Sequence, residues 1–133
     1  MPHSTKVLIV EDEHIFADNL RRYLERRGWI AMVANTGRMA VSASRDFAPD
    51  VVLLDYRLPD IDGFQVLREM RRVHPRCRCV LMTAHPADTV SVGAGQLRIR
   101  RILYKPFTLV DMEAELLAAH REEVPALSDA VLR

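Results

Sequence analysis

An α/β domain, with helices covering both faces of a parallel sheet, is the fold this sequence predicts. Three observations predict it. Short, continuously apolar runs such as "VVLL" at residues 51–54 read as strands buried on both faces. Segments with apolar residues at helical spacing lie between them. The two kinds alternate five times within 133 residues, which is one domain's worth of chain.

Taken in order, "KVLIV" (6–10) is a β-branched run that ends in acids and reads as the first buried strand. Apolar residues then recur at Ile15, Phe16, Leu20, Tyr23 and Leu24, which predicts a helix to about Arg27 with Gly28 as its C′ residue. "WIAMVA" (29–34) is the second strand. Asn35 is expected to cap a helix over about 36–47, and Pro49 stops it. "DVVLLD" (50–55) is the third strand. "LPDIDG" is a turn, Asp62 caps, and Gly63 opens a helix to about Val73, with Pro75 after it.

"CVLMT" (79–83) is the fourth strand, and Pro86 suits the start of a helix over "PADTVSVGAGQL". Two glycines make that helix the weakest of the five. "RILY" (101–104) is the fifth strand. Thr108 caps a final helix to about His120, with Leu109, Met112, Leu116 and Leu117 expected on its inner face. Residues 1–121 thus form the domain, and 122–133 a tail or the start of a linker.

Composition narrows the function. Apolar residues are 49% and charged residues 28%, as in a soluble globule. No run of about 18 apolar residues predicts a membrane span, and the first residues carry no apolar secretion signal. A cytoplasmic location is therefore expected. The formal net charge of +1 offers no electrostatic case for nucleic acid or membrane binding. Arginines cluster over 71–78 and 98–101, and both groups are read as solvated surface. Cys77 and Cys79 are too few for a structural zinc site and are read as inert packing residues. Arginines number 17 against two lysines, Lys6 and Lys105, which makes Lys105 informative.

In such folds ligands bind at the carboxyl ends of the strands. There strand one ends in Glu11, Asp12 and Glu13, and strand three ends in Asp55. Strand four ends in Thr83 and Ala84, and strand five in Lys105 and Pro106. Carboxylates about 4–5 Å apart repel by roughly 3–4 kcal/mol per pair at a protein-like dielectric. A proton or a cation must relieve that. An all-oxygen site with open positions suits Mg²⁺, which bridges readily to phosphate oxygens. The chemistry that fits is metal-assisted phosphoryl transfer with Asp55 as a carboxylate nucleophile.

"VLIVEDE", "VVLLDYRLPDIDGFQVL", "VLMTAH" and "YKPF" resemble, in order and spacing, the signature blocks of the receiver domain of two-component response regulators. The similarity runs from residue 6 to about 121. It implies a flavodoxin-like, doubly wound five-stranded sheet in the order 2-1-3-4-5, an order for which a member of this family is a standing example. It also implies that Asp55 is the phosphoacceptor, with Mg²⁺ held by Glu11, Asp12, Asp55 and the backbone carbonyl of Arg57. Thr83 would bond a phosphoryl oxygen, and Lys105 would pair with another. Ala84 would leave room for the group, and Lys105-Pro106 would be a cis peptide.

The implied donor is a sensor histidine kinase or a phosphotransfer protein. The implied readout is a downstream protein target or an effector domain, with a homodimer through the fourth helix, fifth strand and fifth helix as a further partner. The sequence departs from the family at Ile102, where an aromatic switch residue is usual; Tyr104 lies two residues on. "LRIRR" replaces the usual small-residue-plus-acids segment before strand five. Arg57 and His85 stand where the family tunes phosphate lifetime.

A phosphatase is a remote alternative to this reading, and a calcium loop is rejected. An aspartyl-phosphate-forming phosphatase would need an acid/base two residues after Asp55, where Arg57 stands and cannot deprotonate. A calcium loop from Leu58 to Glu69 lacks a side-chain ligand at its first position and follows a strand. The chain reads either as a stand-alone switch or as the N-terminal receiver of a longer regulator.

Overall fold

The computed structural model describes residues 5–84 and 87–122. Five strands, β1 (Lys6–Val10), β2 (Ile30–Ala34), β3 (Val51–Asp55), β4 (Arg78–Thr83) and β5 (Arg101–Tyr104), form one sheet. They alternate with α1 (His14–Arg26), α2 (Gly37–Phe47), α3 (Gly63–Val73), α4 (Ala87–Gln96) and α5 (Leu109–His120). All pairings are parallel and the order is β2-β1-β3-β4-β5. The chain winds outwards from β1 first to one side and then to the other, so the expected doubly wound order holds.

Alternation along the inner strands divides the core between two faces. Leu8, Val10, Val52, Leu54 and Leu81 meet Ala40, Val66, Leu67, Met70, Ala94 and Leu97 of α2, α3 and α4 and its end. Val7, Ile9, Val51, Leu53, Val80 and Met82 meet Leu20, Leu24, Met112 and Leu116 of α1 and α5. All five residues of β3 are buried. Its four apolar side chains contribute roughly 6–12 kcal/mol in total. That is enough to hold Asp55 at its end regardless of the carboxylate's own preference. Coverage is incomplete only at the edge: Ile30 and Met32 of β2 stay largely exposed, so the double-faced burial read from its apolar run does not extend there.

The caps show how local chemistry sets the ends. Gly28 has φ 95°, the left-handed geometry expected of a C′ glycine. Asp62 and Thr108 accept from Gln65 and Asp111 N–H at 2.9 and 3.0 Å, as expected. The cap of α2 is Thr36 and not Asn35: the Thr36 hydroxyl accepts from Met39 N–H at 3.1 Å. The Asn35 amide is engaged elsewhere, donating to the Glu11 carbonyl at 3.0 Å. Pro86 lies outside the described residues.

Two expectations about exposure fail, each for a tertiary reason. Leu109 is 37% exposed, because it lies in the first turn of α5, ahead of Met112, the first residue to reach the core. Glu113 is buried in its stead, accepting from Trp29 Nε1 at 3.0 Å and Arg27 Nε at 2.9 Å. Arg71 belongs to an arginine cluster read as solvated, yet it is 1% exposed. Its Nε and Nη2 donate to the Cys77 carbonyl at 3.1 and 3.0 Å, and its Nη1 donates to the Leu97 carbonyl. One side chain thus ties α3 to the turn before β4 and to the end of α4. Arg101 is also engaged, pairing with Glu122 at 2.7 Å and Glu115 at 3.4 Å, whereas Arg98 and Arg100 are exposed as expected.

Arg71→Ala leaves those two carbonyls without their donors and opens a void. The expected loss is about 3 kcal/mol, or roughly 10 °C in Tm, followed by circular dichroism. A loss below about 1 kcal/mol would mean that water replaces the guanidinium without cost.

Cys77 and Cys79 are free and buried. Burial pushes their thiols up to about 11 and about 12, which leaves almost no thiolate near neutral pH and agrees with a packing role. Glu122 still packs on the domain: its carbonyl accepts from Arg78 Nε at 2.8 Å. Residues 123–133, most of the expected tail, lie outside the described residues. Among the described residues no helix is long and apolar enough to cross a membrane.

Candidate functional site: an acidic pocket at the carboxyl edge of the sheet

Strands β1, β3, β4 and β5 end at the same edge, and the residues at and just beyond their ends line one pocket of about 360 Å³. Its walls are Glu11, Asp12, Glu13, Asp55, Arg57, Thr83, Ala84 and Lys105. Carboxylate oxygens of Glu11, Asp12 and Asp55 all lie within 4.8 Å of one another. The parallel register produces this convergence. Val10 pairs with Leu54 and Asp55 with Met82, so the first residues beyond β1 and the last residue of β3 arrive side by side.

Glu11 is the most constrained of the three. Its N–H donates to the Ala34 carbonyl at 3.0 Å, and its own carbonyl accepts from Asn35. Its carboxylate accepts from Glu13 N–H at 3.1 Å and from Lys105 Nζ at 2.9 Å. Burial pushes the Glu11 carboxyl up to about 7, and the Asp55 charge pushes the same way; the bonds from Lys105 and Glu13 only partly offset this. Asp55 is nearly buried and accepts from Lys105 Nζ at 3.2 Å. Asp12 is exposed at the mouth.

Lys105 therefore bridges Glu11 and Asp55. Burial pulls its ammonium down, but the Glu11 bond and the Asp55 charge outweigh that and hold it above its ordinary value. Its Nζ also sits 5.1 Å from the centre of the Phe16 ring, which packs against Phe107 at 5.8 Å. Lys105 and Arg57 among four acids, Glu11, Asp12, Glu13 and Asp55, leave the pocket short of positive charge. That deficit, the raised Glu11 carboxyl and an all-oxygen donor set fit a hard divalent cation such as Mg²⁺.

Thr83 is buried at the end of β4, opposite Tyr104 in the β4–β5 register, and its carbonyl accepts from Lys105 N–H at 2.9 Å. Ala84 is exposed at the pocket wall. The Lys105–Pro106 peptide is cis. Ile102 packs against the core on the α3 and α4 side, while Tyr104 is 43% exposed. Arg57 lines the pocket, and its N–H approaches Asp55 Oδ1 at 3.4 Å. His85 lies outside the described residues.

Two contributors escaped sequence reasoning. Asn35 follows β2 at the same edge as the acids, and the rule about strand ends would have found it had its side chain not been assigned to a cap. Phe16 reads from periodicity as ordinary core, and nothing local says that it lies under Lys105.

Fold and site together define a class: doubly wound α/β domains whose sheet carries an acidic, lysine-bearing pocket at its carboxyl edge. A family model described as the response regulator receiver domain matches residues 7–117. The chain belongs to this family, the receiver domains of two-component response regulators. It is 38% identical over 111 residues to Regulatory protein AtoC of Escherichia coli K12, covering 80% of this chain and 23% of that protein. It is 33% identical over 101 residues to the response regulator receiver protein Anae109_2439 of Anaeromyxobacter, covering 76% and 42%.

The chain thus spans less than half the length of both of these relatives. Among solved structures, a two-component response regulator from Clostridium difficile superimposes with a TM-score of 0.81 at 26% identity, covering 89% of this chain and 97% of that one. A CheY-like receiver domain from Methanospirillum hungatei shares the fold, with a TM-score of 0.82 at 21% identity over 87% of this chain and 93% of that one.

Proposed function

We propose that this receiver domain is a phosphorylatable switch that accepts a phosphoryl group on Asp55 from a phosphohistidine of a sensor histidine kinase or phosphotransfer protein. The observation that carries the reading is the convergence of Glu11, Asp12 and Asp55 within 4.8 Å, with Lys105 bonded to two of them. Glu11, Asp12, Asp55 and the Arg57 backbone carbonyl would hold Mg²⁺, which when bound supplies neutralising charge to phosphoryl oxygens.

β3 presents the Asp55 carboxylate to the donor at the pocket mouth. A carboxylate oxygen attacks phosphorus, and the O–P bond forms as the N–P bond breaks, its electron pair staying on the imidazole nitrogen. Lys105 Nζ moves from its two-carboxylate bridge to a phosphoryl oxygen, and the Thr83 hydroxyl takes another. Ala84 keeps the wall low enough for the group to fit. The protein chiefly positions and stabilises charge.

The product carries about one more negative charge than the carboxylate it replaces. Lys105 and Thr83 belong to the ends of β5 and β4, so their shift biases the face of α4, β5 and α5 between two packings. With Ile102 packed on the core, that shift runs without an aromatic rotamer at this position. A downstream protein target or an attached effector domain reads the face, and a second copy of the chain is a further candidate occupant. A longer regulator is favoured by the relatives, of which this chain matches only a part. Turnover as a phosphatase is disfavoured, because Arg57 offers no acid/base beside Asp55. The chain contacts neither nucleic acid nor membrane itself and works in the cytoplasm.

Incubation with acetyl phosphate and Mg²⁺, followed by intact mass spectrometry, tests the reading. The expected result is one added phosphoryl mass that hydroxylamine removes, as for an acyl phosphate. No uptake from acetyl phosphate or from any histidine-phosphorylated donor would overturn it.

A further inference from the structure

Asp60 has no part in the pocket's chemistry, yet its carboxylate is fully committed. Oδ1 accepts from Gly37 N–H and Oδ2 from Arg38 N–H, each at 2.9 Å. These are the first two N–H groups of α2, and Thr36 takes the third. What burial Asp60 has raises its carboxyl, but the Arg38 and Gly37 N–H groups outweigh it and keep the group ionised. Beside it, Ile61 and Gly37 meet so closely that a Cβ on residue 37 would fall 2.5 Å from Ile61 Cγ1.

These contacts form part of a closed frame. The segment that leads into α2 is bonded to Glu11 twice, through the Ala34 carbonyl and the Asn35 amide. The 57–62 loop is gripped at its base, where Gly63 N–H donates to the Tyr56 carbonyl at 2.8 Å. Its tip is held by Asp60. The frame therefore runs from Glu11 through 34–38 to Asp60, along the loop to Arg57, and back through Asp55. Asp60 supplies the polar closure of this frame, beside the packing of Ile61 on Gly37.

We infer that Asp60 is a positioning residue: by docking the 57–62 loop on the first turn of α2, it sets the placement of the Arg57 backbone against Glu11, Asp12 and Asp55 and so tunes divalent-cation affinity. This rests on the proposed cation site. Outer-shell supports of metal ligands change affinity by about ten- to a hundredfold, and a support one step further out should change it by less.

The test is Mg²⁺ titration of the unphosphorylated chain by isothermal calorimetry, with thermal melts alongside. Asp60→Ala should weaken Mg²⁺ roughly three- to tenfold. Thr36→Ala, which removes the neighbouring cap on the same helix, should lower Tm and leave Mg²⁺ affinity unchanged. Unchanged affinity in Asp60→Ala would overturn the inference, as would an equal loss in Thr36→Ala, since α2 stability alone would then be responsible. Should Asp60→Ala fail to fold, Asp60→Asn, which keeps the shape and one acceptor, carries the same comparison. An unaltered chain that binds no Mg²⁺ would sink the proposed cation site and this inference together. Tight binding by the unaltered chain with an insensitive Asp60 would sink only the inference.

Discussion

Asp55→Asn is expected to end phosphoryl uptake while leaving the chain folded. The amide has the carboxylate's shape, and β3 is held by the burial of Val51, Val52, Leu53 and Leu54 and not by its last residue. What is lost is the nucleophile: an amide oxygen is far less basic, and attack through it has no anionic charge to donate. Lys105 keeps its 2.9 Å bond to Glu11, so the ammonium remains in place. The Glu11 carboxyl loses an anionic neighbour and should come down from about 7. The measurement is intact-mass labelling by acetyl phosphate beside a thermal melt. Undiminished labelling in a folded variant would move the acceptor to Glu11 or Asp12, the two other carboxylates of the cluster.

Withdrawal of Mg²⁺ should have the next largest effect, slowing phosphoryl transfer by at least about a hundredfold. Cation assistance at such sites is worth several kcal/mol, and each 1.4 kcal/mol is about tenfold in rate. The arithmetic of charge in this pocket points the same way. A phosphoryl donor brings more negative charge to three clustered carboxylates, of which Lys105 pairs with two, Glu11 and Asp55. In the cation-free pocket burial and the Asp55 charge push the Glu11 carboxyl up to about 7, so a proton on Glu11 is the pocket's own means of relief. A proton there does nothing for oxygens on phosphorus. Labelling rates in excess chelator, restored by added Mg²⁺, are the check. Undiminished transfer without any divalent cation would leave the pocket's own cations, Lys105 and Arg57, as the electrostatic aid and would remove the metal from the proposed function.

The site was legible because its residues end a strand or come just after one: Asp55 and Thr83 close β3 and β4, and Glu11 and Lys105 follow β1 and β5. Once the five apolar runs are recognised and the sheet is parallel, Glu11, Asp55, Thr83 and Lys105 must share an edge. The order β2-β1-β3-β4-β5 then brings β1 next to β3. Local patterns also settle the caps at Asp62 and Thr108, where a side chain serves its own helix three residues on. Asn35 misleads because it stands where caps stand, while its partner is the Glu11 carbonyl on another strand. Leu109 has the right spacing for the core but sits one turn before α5 reaches it.

Alternation of strand and helix, the parallel sheet, the edge where the chemistry gathers and the residue types gathered there can all be read from the chain before it folds. These follow from hydrophobic period and strand direction, which are properties of short segments. Which polar groups become committed, and to which partners, depends on the packed fold. Arg71 lies inside the protein because carbonyls at the turn before β4 and at the end of α4 converge on it. Glu113 is buried because Trp29 and Arg27 arrive with donors, and Asp60 is committed because α2 begins beside its loop. Burying a charge is favourable only where partners from distant segments are already in place, and no local stretch of sequence carries that information.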